Sequence, residues 1–523
     1  MYPRHKVNGG RGLGGGAMGS ENIAIVGAGI GALSAAALLA RRGYAVDVFE
    51  RAGTAGGKLR QTFAGGPGVD AGPTVFTLKP IFENLFEAAG GDFEASLRPE
   101  PATVIARHFW DDRAGLDLFA DPRASEAAIG DRFGRANAEG FRQFQAAARR
   151  CYDVLQHSYI EGSRPSPLDL VRRIGPLRLG DLLATRPFTS LWNALGQFFP
   201  AVELRQLFGR YATYVGASPF SAPATLMLIA HVEQLGVWTL PGGMISLAEE
   251  LQRLAEGHGA RFHFHAEVEE IAVNRGAVDH LVYCQEGERL RLSARRVVFG
   301  GDSAALARAG LGAGVRRAAA PTAASHRSLS ALVWTGLIRR SAFPLSHHTV
   351  FFGRDYRAEF DAIFKQRTLP EDPTVYLCAQ DRTAEDHPAI AGTEDAFERV
   401  LCLTNAPALG DAGPLPPALL AEGEARLRRT LKRCGVRDFD FDPSAMTLTS
   451  PREFHERFPH TGGALYGRAS HGWLASFRRP GSRTAVPGLY LCGGSAHPGA
   501  GVPMATLSGV QAAEALCQDL TST

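Results

Sequence analysis

The sequence predicts an α/β fold in which a Rossmann-like nucleotide-binding domain is interrupted by an inserted α+β domain and a helical subdomain. Three observations carry this prediction. A glycine-rich loop follows an apolar run at residues 22–26, a second apolar run ends in glycines at residues 295–302, and another glycine-rich segment lies at residues 488–503. Short apolar runs that end in glycine loops are typical of buried parallel strands. The long segments between them then form units with a core of their own.

The first glycine loop has the spacing of a dinucleotide-binding motif. Gly27-x-Gly29-x-x-Ala32 directly follows the first apolar run. In this spacing the first glycine permits a tight turn, and the second lets a pyrophosphate approach the backbone. The third position must be small so that the following helix can pack on the strand, and alanine meets that requirement.

The next residues complete the nucleotide-binding unit. Residues 33–42 are rich in alanine and leucine, which predicts a helix whose N-terminus faces the phosphates. Residues 44–49 predict a second strand. Glu50 ends it, 23 residues after Gly27, where a carboxylate accepts hydrogen bonds from ribose hydroxyls. The residues of this unit that we expect to hold an adenine dinucleotide are Gly27, Gly29, Ala32 and Glu50.

Two further glycine pairs favour FAD over NAD as the dinucleotide. Gly56-Gly57-Lys58 lies shortly after the ribose carboxylate, and a glycine pair followed by a cation is a usual extension in one large flavoprotein class. Near the C-terminus, a strand at 488–491, the pair Gly493-Gly494 and an apolar helix at 506–516 form a second unit. Such a unit directs backbone N–H groups at a flavin. FAD is therefore the predicted cofactor.

Composition gives no support for nucleic-acid binding, a disulfide framework or a metal site. The net charge of +3 gives no argument for nucleic-acid binding. The seven cysteines are scattered without a C-x-x-C pair, which indicates reduced thiols. No metal site is predicted, either from the cysteines or from His263, His265 and the His347-His348 pair. Residues 1–19 are rich in glycine without an apolar core, and we expect a disordered extension there.

Changes of pattern along the chain predict the domain boundaries. Residues 125–235 are mainly helical with several proline breaks, and strand patterns follow them. Those strands are expected at 261–268, 278–284, 290–292, 295–302, 329–337, 374–380 and 400–405. The predicted FAD-binding domain is residues 20–72, 236–320 and 481–523; the α+β substrate domain is 73–124 and 321–480; the helical subdomain is 125–235.

Three motifs outside the dinucleotide loop point to one family. They are Leu489-Tyr490-Leu491-x-Gly493-x-x-x-His497-Pro498-Gly499-x-Gly501-x-Pro503, Asp70-x-Gly72-Pro73-Thr74, and Gly236-Val237-Trp238 with the Pro241-Gly242-Gly243 that follows it. Together they resemble the bacterial carotenoid desaturases of the phytoene-desaturase type. Residues 210–229 and 372–381 are more similar to the hydroxyneurosporene (1-hydroxycarotenoid 3,4-) desaturase branch of that family.

The resemblance implies an FAD-dependent oxidoreductase acting on CH–CH groups in carotenoid biosynthesis. For this branch, a C3–C4 double bond would be introduced into an acyclic 1-hydroxy or methoxy carotenoid, by hydride transfer to flavin N5 and proton loss from the neighbouring carbon. The alternatives are a phytoene desaturase, a ketolase-type oxidase, a more distant amine- or protoporphyrinogen-oxidase relative, and a non-catalytic isoprenoid carrier. The expected FAD site further includes Arg51, Gly57, Lys58, Thr74, Val268, Asp302, Gly493, Gly494, Val502 and Met504.

No protein acid or base stands out from the sequence. His497 is a weak catalytic candidate because it lies inside the flavin segment, and a structural role in the loop is the alternative. His231, Glu233 and Trp238 are candidates for the substrate tunnel, with a helix surface or a domain interface as the alternative for the first two.

The carotenoid also implies a membrane partner. At about 0.8 kcal/mol per buried CH₂, passage of a C40 chain through water would cost tens of kcal/mol, so the substrate must enter from a bilayer. We therefore expect a monotopic, peripheral protein on the cytoplasmic side of a bacterial membrane. Residues 164–210 are the candidate docking segment, with Arg172, Arg173 and Arg178 among leucines. A solvated helical surface packed on its own domain is the alternative for this segment. Oxygen and a membrane quinone remain open as electron acceptors, and the oligomeric state remains open as well.

Overall fold

The computed structural model describes residues 22–63, 66–175, 178–382 and 397–522. The extension expected at residues 1–19 lies outside these ranges. Among the described residues, no helix combines the length and the apolar character that crossing a membrane requires. The α-helices are Ile30–Arg41, Lys79–Ala88, Phe93–Leu97, Pro122–Phe133, Arg135–Leu155, Pro167–Ile174, Leu179–Ala184, Leu191–Leu195, Val202–Gly209, Leu228–Gln234, Ile245–Gly257, Ser303–Ala307, Tyr356–Asp361, Pro417–Arg433, Pro451–Arg457 and Val502–Thr521.

Five parallel strands form the sheet that carries the first glycine loop. Ile23 and Ile25 of its central strand are fully buried on one face, and Ala24 is fully buried on the other. This two-sided burial is typical of a parallel sheet covered on both faces. The strand order is Arg261–His263, Ala45–Phe49, Asn22–Val26, Arg296–Phe299 and Leu489–Leu491.

Different layers cover the two faces of this parallel sheet. Three helices, Ile30–Arg41, Ile245–Gly257 and Val502–Thr521, share one core with the Ile23 face. A three-stranded antiparallel sheet shares a core with the Ala24 face. Its strands are Ala266–Asn274, Ala277–Gln285 and Glu288–Ser293.

The inserted domain contains a seven-stranded mixed sheet. Neighbouring strands in this sheet are antiparallel in every pair but one, in which His348–Phe351 runs parallel to Val104–Phe109. The strand order is Phe441–Thr449, Ser330–Arg339, Phe397–Ala406, Val375–Ala379, His348–Phe351, Val104–Phe109 and Leu116–Phe119. Gln61–Thr62 and Val69–Asp70 form a two-stranded sheet. A three-stranded sheet joins the domains by pairing Val237–Thr239 with Phe76–Thr77 and Glu100–Pro101.

The helical subdomain is built around the long helix Arg135–Leu155. Phe141 and Phe144 lie one turn apart on its buried face. The Phe144 ring lies 5.4 Å from the ring of Phe199 and 4.6 Å from that of Phe208, which brings the later helices against it. This aromatic core positions the short helices that follow the prolines predicted as breaks.

The structure confirms the predicted α/β fold class, with differences at element ends. The strand expected at 261–268 is divided, because His265 has a φ of +53° and turns the chain from the parallel sheet into the antiparallel one. The helix expected at 506–516 begins earlier, at Val502, since Pro503 lies in the first turn where its missing N–H costs no hydrogen bond.

The strands also allow a comparison with the proposed domain boundaries. All five strands of the parallel sheet lie in the segments assigned to the FAD-binding domain, and all seven of the mixed sheet lie in the segments assigned to the substrate domain. Strand Val237–Thr239 lies in the segment 236–320 assigned to the FAD-binding domain, but it pairs with Phe76–Thr77 and Glu100–Pro101 of the segment assigned to the substrate domain.

Candidate active site

The loop after the first strand forms an open cradle. Gly27 has a φ of +86°, and its N–H donates to the carbonyl of Phe49 at 2.8 Å. The helix Ile30–Arg41 follows, and its N-cap residue, Gly29, provides no capping side chain. A Cβ atom added at Gly29 would meet no atom within 4 Å. The N–H groups of the first helical turn therefore face free space, which is the arrangement that binds a pyrophosphate.

The two ends of the chain meet at this cradle. A Cβ atom at Gly31 would lie 2.7 Å from the carbonyl oxygen of Ala505 and 2.9 Å from the nitrogen of Gly493. Only glycine therefore lets the C-terminal segment pack against the first helix. The helix Val502–Thr521 begins after Gly501, again without a capping side chain. Two uncapped helix N-termini thus flank the same space.

Glu50 ends the second strand beside the cradle. Its Oε2 atom accepts a hydrogen bond from the N–H of Ala28 at 2.8 Å, and its Oε1 atom accepts one from the N–H of Ala52 at 2.8 Å. These bonds fix the carboxylate, and each oxygen keeps a lone pair for a further donor. A ribose hydroxyl is such a donor.

One cavity of about 980 Å³ joins the cradle to the inserted domains. Ala32 does not line it. That side chain is buried behind the loop, where its Cβ atom would be 2.8 Å from a Cβ added at Gly300, as its expected packing role requires. The other expected cofactor-binding residues all line the cavity: Gly27, Gly29, Glu50, Arg51, Gly57, Lys58, Thr74, Val268, Asp302, Gly493, Gly494, Val502 and Met504.

The residues of this half of the cavity fit an FAD molecule. The open space at Gly29 and the two helix N-termini suit the pyrophosphate. The fixed carboxylate of Glu50 suits the ribose. When FAD is bound, these are the groups that would hold its dinucleotide part.

Two cations of this half line the same cavity, the half-buried Lys58 and the buried Arg479. The Lys58 ammonium group donates to the carbonyl of Leu465, and burial lowers its pKa. Arg479 donates to the carbonyl of Gly494 at 2.8 Å, and burial lowers its pKa as well. No sequence motif surrounds Arg479, so its position at this site was not predicted. Asp302 partly offsets the desolvation of both cations.

His497 does not reach the cavity. Its Nε2 atom donates to the carbonyl of Gly162 at 3.0 Å, and its ring stands edge-on to Tyr159 at 4.8 Å. Burial lowers the pKa of this fully buried imidazole to about 4, so it is neutral at neutral pH. The structure therefore supports the alternative role of His497, which is to join the flavin segment to the helical subdomain.

The three tunnel candidates occupy different places. Glu233 lines the cavity. His231 does not, and its ring packs 5.3 Å from that of Tyr152. Trp238 lies instead beside Phe76 and lines a separate cavity of about 50 Å³. The expectation for His231 and Trp238 is thus corrected. His231 and Glu233 are two residues apart on one helix and so lie on opposite faces of it. Trp238 lies on the strand Val237–Thr239, where it pairs with Phe76.

The second half of the cavity is mainly apolar. Val333, Leu401 and Leu403 line it from two neighbouring strands of the mixed sheet. Leu401 and Leu403 are two residues apart, so they share one face of their strand. Leu226 and Ile229 line it from the helical subdomain. This half is suited to a hydrocarbon.

A polar wall interrupts the apolar half. Two of the segments that form it, 210–229 and 372–381, are those whose sequences resemble the hydroxyneurosporene desaturase branch, and no role was predicted for them as segments. Their importance becomes visible only when the fold places them across one cavity. The polar wall consists of Thr74, Arg210, Tyr214, Glu233, Thr374, Tyr376 and Asn405.

Among the described residues, one group has the composition of a metal site. The ligand atoms of His347, His348 and Cys378 lie within 4.8 Å of one another. Hydrogen bonds already engage them: His347 Nδ1 donates to the carbonyl of Arg382 at 2.9 Å, and His348 Nδ1 lies 2.8 Å from the hydroxyl of Tyr376. Burial also raises the pKa of the Cys378 thiol far above its usual range, which opposes formation of a thiolate ligand.

Similarity to known proteins covers nearly the whole chain. Residues 33–517 match the model of the flavin containing amine oxidoreductase family. A hydroxyneurosporene desaturase of Rubrivivax gelatinosus is 47% identical over 96% of this chain and 94% of its own length. One of Cereibacter sphaeroides is 40% identical over 96% and 98%. A 1-hydroxycarotenoid 3,4-desaturase of a Flavobacterium species is 31% identical over 92% and 96%.

The solved structures agree in fold. Wild-type putrescine oxidase bound to putrescine aligns with 96% of this chain and 99% of its own, at 16% identity and a TM-score of 0.60. At this identity the similarity shows the fold alone. Together with the relatives, it confirms the resemblance drawn from the sequence motifs.

Proposed function

We propose that this chain, which belongs to the flavin-containing amine oxidoreductase family, is an FAD-dependent carotenoid desaturase that forms the C3–C4 double bond of an acyclic 1-hydroxy or methoxy carotenoid. One observation of the structure carries the proposal. A single cavity has a dinucleotide cradle at one end and an apolar face of the mixed sheet at the other. A long hydrocarbon can therefore lie directly against a bound flavin.

The chain's own residues have a positioning role in this reaction. The chemistry that FAD supplies when bound is hydride acceptance, while a neighbouring carbon of the carotenoid loses a proton. Val333, Leu401 and Leu403 hold the polyene and exclude water. Correct placement alone contributes about 7–11 kcal/mol to such a reaction, so a strong protein base is not required.

A substrate panel tests the proposal. The flavin-loaded protein is mixed with liposomes that contain hydroxyneurosporene, its methoxy analogue, neurosporene or phytoene, and the absorption spectrum is followed. We expect a red shift with the oxygenated carotenoids. Conversion of phytoene alone would identify a phytoene desaturase, and incorporation of oxygen into the product would identify a ketolase-type oxidase. A non-catalytic carrier would show no flavin absorbance near 450 nm (roughly, from flavin chemistry).

We further propose that the enzyme docks on the cytoplasmic side of a bacterial membrane through its helical subdomain. Three large apolar side chains of that subdomain are exposed: Leu168 at 71%, Leu183 at 63% and Phe188 at 69%. The Phe188 ring lies 5.4 Å from that of Trp473, which is 43% exposed. Exposed apolar side chains beside basic ones are typical of interfacial docking. Leu168, Leu183, Phe188 and Trp473, together with the basic residues beside them, are the docking patch.

The arginines expected in this patch differ in their availability. The side chains of Arg172 and Arg178 are 79% and 55% exposed, and each lies near one aspartate, at 3.6 and 3.1 Å. Arg173 donates instead to the carbonyls of Ser158 and Ser163, at 3.1 and 2.7 Å. Its guanidinium group therefore holds a loop, so we assign docking to Arg172 and Arg178.

Charge reversal tests the docking patch. Each basic residue near an anionic surface contributes about 1 kcal/mol to binding, so the double variant Arg172→Glu, Arg178→Glu is expected to weaken cosedimentation with anionic liposomes by at least about tenfold. Arg253→Glu is the matched control, because Arg253 is 62% exposed and paired with an acid three residues away, but lies on the helix Ile245–Gly257. Equal sedimentation of all three proteins would exclude the patch.

We propose oxygen or a membrane quinone as the electron acceptor. Either molecule is apolar enough to reach a flavin from the bilayer side. Turnover in anaerobic liposomes with and without a quinone, compared with turnover in air, distinguishes the two.

A further inference from the structure

Four polar side chains of the helical subdomain form a connected, buried cluster. The hydroxyls of Tyr211 and Tyr214 donate to the two carboxylate oxygens of Glu233, at 2.5 and 2.8 Å. Arg210 donates to the hydroxyl of Tyr214 at 3.1 Å. Glu233 is only 4% exposed and Arg210 8%. Burial of such groups costs free energy, so their presence at an apolar cavity calls for a reason.

A second hydrogen-bonded chain enters the cavity from the mixed sheet. The hydroxyl of Tyr376 lies 2.6 Å from the Thr74 hydroxyl and 2.8 Å from His348 Nδ1. Thr74 belongs to the cofactor half, because a Cβ atom at nearby Gly72 would lie 1.8 Å from the carbonyl oxygen of Lys58. The polar wall therefore begins where the dinucleotide half of the cavity ends.

The cluster and the chain line the same cavity, with Arg210 and Tyr214 from the cluster and Thr74 and Tyr376 from the chain. Burial raises the pKa of Tyr376, and both Tyr214 and Arg210 are near enough to affect that pKa. Not all polar atoms here are satisfied. Arg210 Nε and the Tyr356 hydroxyl have no hydrogen-bond partner among the residues that the structure describes, although both residues line the cavity. Unpaired buried polar atoms are rare in folded proteins, and a pure hydrocarbon would leave them unpaired.

We propose that the polar wall binds the hydroxyl or methoxy oxygen at C1 of the carotenoid and selects substrates with an oxygenated end. The inference rests on the proposed function and specifies its substrate site. One carbon separates C1 from C3, so an oxygen-binding group must lie beside the bond that reacts. The wall meets this condition, because Thr74 lies at the cofactor half and Tyr376 and Tyr214 follow it into the cavity.

The available hydrogen bonds suit both kinds of oxygen. The hydroxyls of Thr74 and Tyr376 can each donate or accept, so the pair can present a donor to a methoxy oxygen and both roles to an alcohol. A hydrocarbon end would desolvate these groups without replacing their partners. A site built to bind a hydroxyl discriminates strongly against an analogue that lacks it, for that reason.

Three single-atom variants test the proposal. Tyr214→Phe and Tyr376→Phe remove the hydroxyls of two residues that line the cavity. Tyr211→Phe removes a hydroxyl with the same acceptor, Glu233, but Tyr211 does not line the cavity and serves as the matched control. The measurement is kcat/KM of the flavin-loaded enzymes in liposomes with hydroxyneurosporene and with neurosporene. Flavin content and the unfolding temperature are recorded for each protein.

The ratio of the two kcat/KM values is the decisive quantity. We expect wild type to prefer the hydroxylated carotenoid by at least about a hundredfold. Loss of a hydrogen bond worth about 1 kcal/mol should lower that ratio by roughly fivefold in Tyr214→Phe and in Tyr376→Phe. The Tyr211→Phe ratio should stay within about twofold of wild type. If one of the two cavity variants fails to fold, the other carries the test.

The failures of the two proposals are distinguishable. A wild-type enzyme that converts both carotenoids equally, or cavity variants that keep the wild-type ratio, would overturn the oxygen site and leave the desaturase function in place. An equal loss in Tyr211→Phe would also overturn it, by showing that the cluster acts through the fold. A wild-type protein that binds FAD but converts none of the carotenoids would overturn the proposed function itself.

Discussion

The two halves of the central cavity differ in the groups that line them: backbone groups line the dinucleotide half, and side chains line the inserted half. The dinucleotide half is formed by backbone groups: two uncapped helix N-termini, and glycines where a side chain would collide or would fill the ligand space. The inserted half is formed by side chains, with apolar residues of a sheet on one wall and a polar wall beside them. Backbone recognition tolerates almost no change in residue size, whereas side-chain recognition can be altered one group at a time.

This difference explains why the two halves can diverge separately. Putrescine oxidase shares the fold at 16% identity, which shows that the architecture persists over large changes in sequence. Substitutions in the dinucleotide half are expected to affect cofactor retention, and folding as well where the new side chain would meet backbone atoms. Substitutions in the inserted half are expected to affect the substrate and leave the cofactor bound. Substitutions in each half test this separation.

The largest effect is expected at Gly31. In Gly31→Val the new Cβ atom would lie within 3 Å of two backbone atoms, the carbonyl oxygen of Ala505 and the nitrogen of Gly493. Backbone atoms cannot move aside as a side-chain end can, so we expect a loss of about 3 kcal/mol or more in the free energy of unfolding. The protein should also purify without flavin. Flavin absorbance per protein and denaturant unfolding measure both effects.

Gly29→Ala is the matched control for this substitution. Gly29 has a φ of −73°, which alanine adopts freely, and its Cβ atom would meet nothing within 4 Å. The apoprotein should therefore keep its stability, while the methyl group enters the space in front of the helix N-terminus and raises the Kd for FAD about tenfold or more, equivalent to about 1.4 kcal/mol. Normal FAD affinity in this variant would show that the cofactor does not occupy the cradle.

A smaller effect, confined to the substrate, is expected at Leu403. In Leu403→Trp the larger ring fills part of the apolar half, from the strand Phe397–Ala406. We expect normal flavin content and a fall of about tenfold in kcat/KM for the carotenoid, because a misplaced chain loses part of its proximity advantage. Leu290→Trp, at a 39% exposed position of the antiparallel sheet, is the control. Loss of flavin from Leu403→Trp would contradict the separation of the two halves.

The two halves of the cavity also differ in how far the sequence could predict them. The cradle was predictable because its residues lie at fixed spacings around one strand and one helix, and their sizes are set by the backbone. The C-terminal glycines were predictable for the same reason. The polar wall was not, since Thr74, Arg210, Glu233 and Tyr376 meet only through the packing of three separate segments. The role of Arg479 was not predictable for the same reason, because its contact with Gly494 depends on tertiary structure.

The predicted ends of strands and helices were wrong where the conformation of one residue overrides the sequence pattern. Residues 261–268 alternate as one strand would, yet the left-handed backbone of His265 sends the two parts into different sheets. For Trp238 and His231, proximity in sequence to Glu233 suggested a shared cavity. The short strand Val237–Thr239 instead places Trp238 against Phe76. A pattern of polarity does not contain this information.

The smallest effect on turnover is expected at His497. Since its imidazole is neutral and bonded to Gly162, His497→Gln should leave kcat within about threefold and lower the free energy of unfolding by about 1 kcal/mol at pH 7.5. The pKa of about 4 in the folded state lies below the ordinary value of 6.5. Protonation therefore favours the unfolded state, and the contribution of the neutral imidazole to stability is complete above pH 6.5 and is lost as the pH falls toward 4.

This linkage gives His497→Gln a signature that a catalytic role would not produce. Between pH 7.5 and pH 5 wild type should lose about 2 kcal/mol that the glutamine variant keeps, so the variant becomes the more stable protein in acid. Denaturant unfolding at the two pH values measures the reversal. A hundredfold fall in kcat with full flavin content, together with loss of the acidic limb of the pH–rate profile, would instead show that the imidazole takes part in the reaction. The buried hydrogen bond to Gly162 argues for the first outcome, because a side chain held against the helical subdomain cannot also reach the flavin.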